Sequence, residues 1–157
     1  MKIIQYPDER LRKKATDVLA GEIGSKELDE LIDGMVSALL GHNGLGLSAC
    51  QIGSDKNLFI YRDKRDNLTT CINPKILGRS GHYWSRKEGC LSIDPKIRKD
   101  IKRAKKVILS YTDREGKDHT IKKEKFGGAI IQHEMDHLKG KLIIDYYAQS
   151  SRIVPDN

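Results

Sequence analysis

The segment His133-Glu134-Met135-Asp136-His137 sets two imidazoles four positions apart, with a carboxylate directly after the first. On a helix, residues at that spacing lie one turn above each other on the same face. Both rings can therefore reach one cation while Glu134 stands beside the position left open for water or substrate. The chemistry this arrangement supports is hydrolysis, in which the cation polarises a carbonyl and a carboxylate moves the proton.

The motif needs a helix, and the spacing predicts one from about Gly127 or Gly128 to Lys139, closed by Gly140. Ile130, Ile131, Met135 and Leu138 make it apolar over most of its circumference, so it belongs in the middle of the domain. Histidines and acids on such a helix are costly unless paired or bound to metal. A second amphipathic helix is predicted from Lys26 to Leu40, with Leu28, Leu31, Ile32, Met35, Val36 and Leu39 at helical spacing and acids in its first turn. The glycine-rich run from His42 to Ser48 follows it, where backbone can approach a ligand closely. Strands are expected at Leu58 to Tyr61, at Thr70 to Asn73 before Pro74, and at Val107 to Thr112, which turns through Asp113-Arg114-Glu115-Gly116 into His119 to Lys123. A β-rich middle flanked by two helices defines one α+β domain.

Composition narrows the class. The chain is 157 residues long, enough for one domain with a packed core and a pocket. It contains no apolar run near the roughly 20 residues that cross a bilayer, so no membrane association is expected. The first residues, Met1 to Pro7, do not read as a signal or transit segment. Three widely spaced cysteines, Cys50, Cys71 and Cys90, argue against a disulfide framework and for a reducing compartment. The expected location is the cytoplasm, bacterial or that of a host if the chain is virally encoded, or an organelle once a transit segment has been removed. The net charge of +7 draws on a dense run, Lys96 to Lys106. It reads first as a solvated loop and strand edge, and second as a surface with weak affinity for RNA or the ribosome.

Two histidines do not complete a catalytic metal site, which uses three protein ligands. No histidine follows His137, the position of a third metzincin-type ligand is Ile143, and no glutamate follows Glu134. The third ligand must lie upstream, among Cys50, Cys71, Cys90, His42, His82, His119 and Glu88. A thiolate is the strongest ligand of that set, and Cys90 follows a glycine that permits a tight backbone path. Spacing alone leaves these candidates open.

Three segments taken together resemble the signature motifs of the peptide deformylase family, in the same order and spacing. They are Gly44-Leu45-Gly46-Leu47-Ser48-Ala49-Cys50-Gln51, Glu88-Gly89-Cys90-Leu91-Ser92 and Gln132-His133-Glu134-Met135-Asp136-His137-Leu138. The flanks Tyr6-Pro7-Asp8, Ile72-Asn73-Pro74 and Gly140-Lys141-Leu142 are similar too, and the likeness spans about residues 1 to 147. One departure is Ser48-Ala49 where the family usually has two alanines. Another is the long C-terminal helix of many bacterial members, which this chain is expected to lack, leaving residues 1 to 157 as a single catalytic domain.

The resemblance implies antiparallel β-sheets packed around a central metal-binding helix, and removal of the formyl group from the N-terminal formylmethionine of nascent polypeptides. It implies Cys90, His133 and His137 as ligands of one divalent ion, Fe(II) in the cell, replaceable by Zn(II), Ni(II) or Co(II). Glu134 would act as base and then acid, with the backbone N–H of Leu91 and the amide of Gln51 stabilising the oxyanion. Gly46 and Gly89 would pair with the substrate backbone, and Leu45 and Ile130 would wall the methionine pocket. Gln132 and Asp136 would orient the ligands, Asp136 having a Lys or Arg partner as its alternative. The partners implied are formylated N-termini of nascent chains, and a monomer is expected. A small metalloendopeptidase and a non-catalytic metal-stabilised module are the competing classes. The first would keep its metal without Cys90, and the second its function without Glu134.

Overall fold

The computed structural model describes residues 1–147; residues 148–157, part of the expected single domain, lie outside the described residues. Helix α1 spans Lys26–Gly41 and helix α2 spans Lys125–His137. Between them run β1 (Gly46–Ser48), β2 (Leu58–Arg62), β3 (Leu68–Glu88), β4 (Lys99–Thr112) and β5 (Asp118–Glu124). The strands form one five-stranded sheet in sequence order, every neighbour antiparallel.

Helix α1 starts where Ser25 Oγ accepts from the Leu28 N–H at 3.2 Å, with Glu27 and Asp29 complementing the N-terminal dipole. Its Leu28, Ile32, Met35 and Leu39 bury against Leu47, Leu58 and Ile60. Phe59 and Tyr61, the alternate residues of β2, pack instead with Ile131, Met135 and Leu138 of the α2 region. Strand β2 is thus buried on both faces, with one helix against each. The same alternation in β1 sends Leu47 to the α1 side and turns Gly46 and Ser48 toward α2. A smaller cluster of Leu11, Ile93, Ile101, Leu142 and Ile143 closes the far end.

Both helices and the hairpin turn lie where periodicity placed them, with the helix bounds differing by at most three residues. Two strands differ more. Strand β3 does not stop before Pro74 but continues to Glu88. The proline falls at a register shift between Ile72 and Lys75, where the ladder asks for no N–H. Asn73 makes the irregularity stable: at φ 48° its side chain accepts from Val18 N–H and donates to Val18 C=O, each at 2.8 Å. Strand β4 starts at Lys99, inside the basic run. That run is accordingly no solvated loop throughout, since Arg103 is 4% exposed.

Candidate active site

Helix α2 presents His133 and His137 from successive turns, with ring centroids 5.0 Å apart. Cys90 sits in the loop that leaves β3, and its Sγ lies 3.2 Å from His137 Nε2. One donor atom from each of Cys90, His133 and His137 falls within 4.8 Å of the other two. His133 Nδ1 is 3.4 Å from Glu88 Oε2, which orients the ring and leaves its other nitrogen for a cation. His137 Nδ1 is buried and has no hydrogen-bond partner among the described residues. Buried polar atoms are rarely left so, and here the residue's role is set by what its other nitrogen binds.

The protonation states agree with a ligand set. Burial, then the charges of His133 and Arg103, hold His137 well below the usual histidine range, in the neutral form that binds metal. Burial would lower His133 too, but hydrogen bonds with Cys90 and Glu88 outweigh it and raise the ring well above its ordinary value. A cation would take the place of that proton. One thiolate with two imidazoles suits iron, zinc, nickel or cobalt, so the residues present fit a divalent metal.

A buried ion cluster joins the elements that carry the ligands. Arg103 on β4 donates from Nε to Glu88 Oε1 at 3.0 Å and from Nη2 to Oε2 at 2.8 Å, a two-pronged grip. Its Nη1 reaches Asp136 Oδ2 on α2 at 2.6 Å, and Tyr146 donates its hydroxyl to the same oxygen at 2.8 Å. Glu88 lies two residues before Cys90, and Asp136 lies between the histidines, so one guanidinium ties the thiol's strand to the imidazoles' helix. Burial alone would raise Glu88, but hydrogen bonds from His133 and Arg103 prevail and hold it at about 2.

In front of the ligands opens a cleft of about 600 Å³, bounded by the loop into β1, the end of β3 and helix α2. Leu45, Gly46, Gln51, Gly89, Leu91, Ile130 and Glu134 all line it. Glu134 is 3% exposed, and burial raises its carboxyl to about 6 despite the nearby His133 and a hydrogen bond from Ser48. Gly46 is required by this packing, because a Cβ there would overlap the Glu134 carboxylate. Gln51 accepts from the Ser48 N–H at 2.9 Å. That contact turns its Nε2 toward Ser92 Oγ at 3.0 Å and Cys90 Sγ at 3.6 Å.

Of the residues singled out from the sequence, Leu45, Gly46, Gln51, Gly89, Cys90, Leu91, Ile130, His133 and Glu134 line the cleft, and His137 stands buried behind Cys90. One expectation needs correction, and the remaining residues take defined places. Gln132 does not orient a ligand: it exchanges two hydrogen bonds with the backbone of Ala104, at 2.9 and 3.0 Å, and its Nε2 donates to Gly128 C=O at 3.0 Å. Asp136 takes its alternative role as the partner of Arg103. Trp84 is 52% exposed, with Arg86 over its ring, whereas Tyr83 lines the cleft. Cys50 and Cys71 are buried, and His42 caps α1 by a 2.8 Å contact to Ala38 C=O. Sequence reasoning missed Arg103 as a structural ion. Its signal was alternation, since Ile101, Arg103, Val107, Leu109 and Tyr111 all bury and all stand an even number of residues apart.

An α+β domain with an H-E-x-x-H helix facing a cysteine defines a metal-dependent hydrolase. The family model for polypeptide deformylase matches residues 1–152. A peptide deformylase of Nitrosococcus oceani is 37% identical over 154 residues, covering 97% of this chain and 89% of that one. A peptide deformylase crystal structure from Legionella pneumophila superposes with a TM-score of 0.85 at 36% identity, covering 92% of this chain and 83% of the other. A Met-Ala-Ser-bound class I type b peptide deformylase from Acinetobacter baumannii gives a TM-score of 0.85 at 30% identity, with 92% and 96% covered. The chain belongs to the polypeptide deformylase family. Its activity is that of the family, removal of the N-formyl group from nascent polypeptides.

Proposed function

We propose that Glu134 carries the proton in this reaction, beside a divalent ion held by Cys90, His133 and His137, and that Fe(II) is the ion in the cell. When bound, such a cation supplies Lewis acidity, polarising the formyl carbonyl and making a water more acidic. Glu134 accepts a proton from the attacking water as its oxygen bonds to the formyl carbon. The carboxyl then passes that proton to the leaving amine, the C–N bond breaks and formate departs. The observation that carries this reading is the buried Glu134 carboxyl lining the same cleft as Cys90 and His133, where burial favours its protonated form and suits it to take a proton and give it back.

Charge develops on the carbonyl oxygen as the carbon becomes tetrahedral. Gln51 Nε2, directed toward Cys90, and the Leu91 N–H are its donors, each worth roughly 3 to 4 kcal/mol in the barrier. Gly46 and Gly89 offer backbone on either side of the cleft for pairing with an extended peptide. Leu45 and Ile130 form apolar wall for the methionine side chain, a reading supported by the Met-Ala-Ser-bound relative.

The rest of the assignment follows from surface and size. One catalytic domain acts as a monomer. Among the described residues no helix is long and apolar enough to cross a membrane, and we place the protein in the cytoplasm. Lys96, Lys102 and Lys105 are exposed and would give weak attraction to ribosomal RNA near emerging chains. The test is formate release from a formyl-Met peptide by protein purified anaerobically and loaded with Fe(II) or Ni(II). Release with either metal supports the assignment, and no release with both overturns it.

A further inference from the structure

Ser48 occupies a position where the deformylase signature motif usually has alanine, and the structure gives its hydroxyl a partner. Because β1 alternates, Leu47 enters the α1 core while Gly46 and Ser48 both face Glu134 on α2. Ser48 is fully buried. Its Oγ lies 2.7 Å from Glu134 Oε2 and 3.2 Å from Glu134 C=O. A hydroxyl has one proton to give, and the carboxylate, at the shorter contact, is the stronger acceptor. Oε1, the other oxygen, packs against Gly46, which lines the cleft.

We propose that Ser48 is a positioning residue for deformylation, holding Glu134 by Oε2 so that Oε1 is the oxygen that exchanges protons with the substrate side of the cleft. The inference rests on Glu134 being the proton carrier. Without this hydrogen bond the carboxylate has one fewer restraint on its terminal torsion, and the fraction of time spent in the reactive orientation falls. The effect belongs in kcat, since Ser48 is buried and does not line the cleft. The backbone of Ser48 has a separate role, because its N–H holds Gln51 Oε1 at 2.9 Å. Removing the hydroxyl leaves that N–H contact in place, so substitution at this position reads the hydroxyl's own contacts, with Glu134 and with the turn that begins at Ala49.

The experiment compares Ser48→Ala, Ser48→Gly and Glu134→Gln as metal-loaded holoenzymes on a formyl-Met peptide, with metal content and Tm measured on each. For both Ser48 variants the expected result is kcat lowered about tenfold, with KM within about twofold, one equivalent of metal and a Tm lowered by about 5 °C or less. Wild-type kcat in Ser48→Ala and Ser48→Gly overturns the inference, as does a loss that appears in KM or follows loss of metal. Turnover by Glu134→Gln would instead overturn the proton-carrier reading. An inactive Glu134→Gln beside fully active Ser48 variants would leave that reading standing and reject only the role of Ser48.

Discussion

Arg103 and Glu88 form a two-pronged ion pair at 2.8 and 3.0 Å, with side chains 3% and 11% exposed. Removing the cation leaves Glu88 and Asp136 as buried carboxylates without their counter-ion, which typically costs about 3 to 5 kcal/mol. Arg103→Met is therefore expected to lower the unfolding free energy by about that amount, measured by urea denaturation. It should also weaken metal retention, because the same guanidinium aligns the Cys90 loop with helix α2. A loss under about 1 kcal/mol would show that the cluster is not held by Arg103.

The same pair sets an acid limit. Glu88 is held at about 2 in the folded protein, against about 4.3 for an unfolded chain. A depressed carboxyl contributes stability in full above the unfolded value and loses it as pH falls through the folded one. Stability should therefore decline from about pH 4.3 to about pH 2, and Glu88→Gln should flatten that part of the curve. Denaturation midpoints at stepped pH values read this directly.

Thiol chemistry separates the three cysteines. Burial pushes Cys50 up to about 12 and raises Cys71 further, and both are buried, whereas Cys90 is partly exposed at the cleft. Iodoacetamide on metal-free protein should label Cys90 alone, and added Zn(II) should protect it, as followed by peptide mass spectrometry. Labelling of Cys50 or Cys71 before Cys90 would contradict this placement.

Gly46 has a steric duty that follows from Glu134. A methyl group there would overlap the Glu134 carboxylate and narrow the cleft. Gly46→Ala should lower kcat/KM by at least about 100-fold, as expected when a reacting group is displaced by about 1 Å. Metal content should not change. Near-normal kinetics in this variant would mean that the carboxylate works from another position.

The residues with strong local signals were legible before any coordinates. His133, Glu134 and His137 lie on one helix, and Leu28 to Leu39 repeat at helical spacing, so both features could be read from pattern. Cys90 was different, because it lies 43 positions before His133 and spacing could not choose it over six others. Resemblance to family motifs made that choice, and the fold brought its Sγ to 3.2 Å from His137 Nε2. The passage of β3 through Pro74 was hidden because the register shift that tolerates a proline depends on the neighbouring strand. Arg103 was hidden by its context, a run of lysines that suggests solvent, although alternation along β4 set it on the apolar face. Ser48 reads as a small loop residue until α2 supplies its carboxylate partner.

In the proposed reaction Glu134 moves the proton while Cys90, His133 and His137 hold the cation. The most direct measurement is formate release from a formyl-Met peptide by Glu134→Ala, paired with metal analysis of the same preparation. One equivalent of divalent metal, with turnover reduced at least about 1,000-fold, is the expected result. Turnover within about tenfold of wild type, at full metal occupancy, would contradict the account.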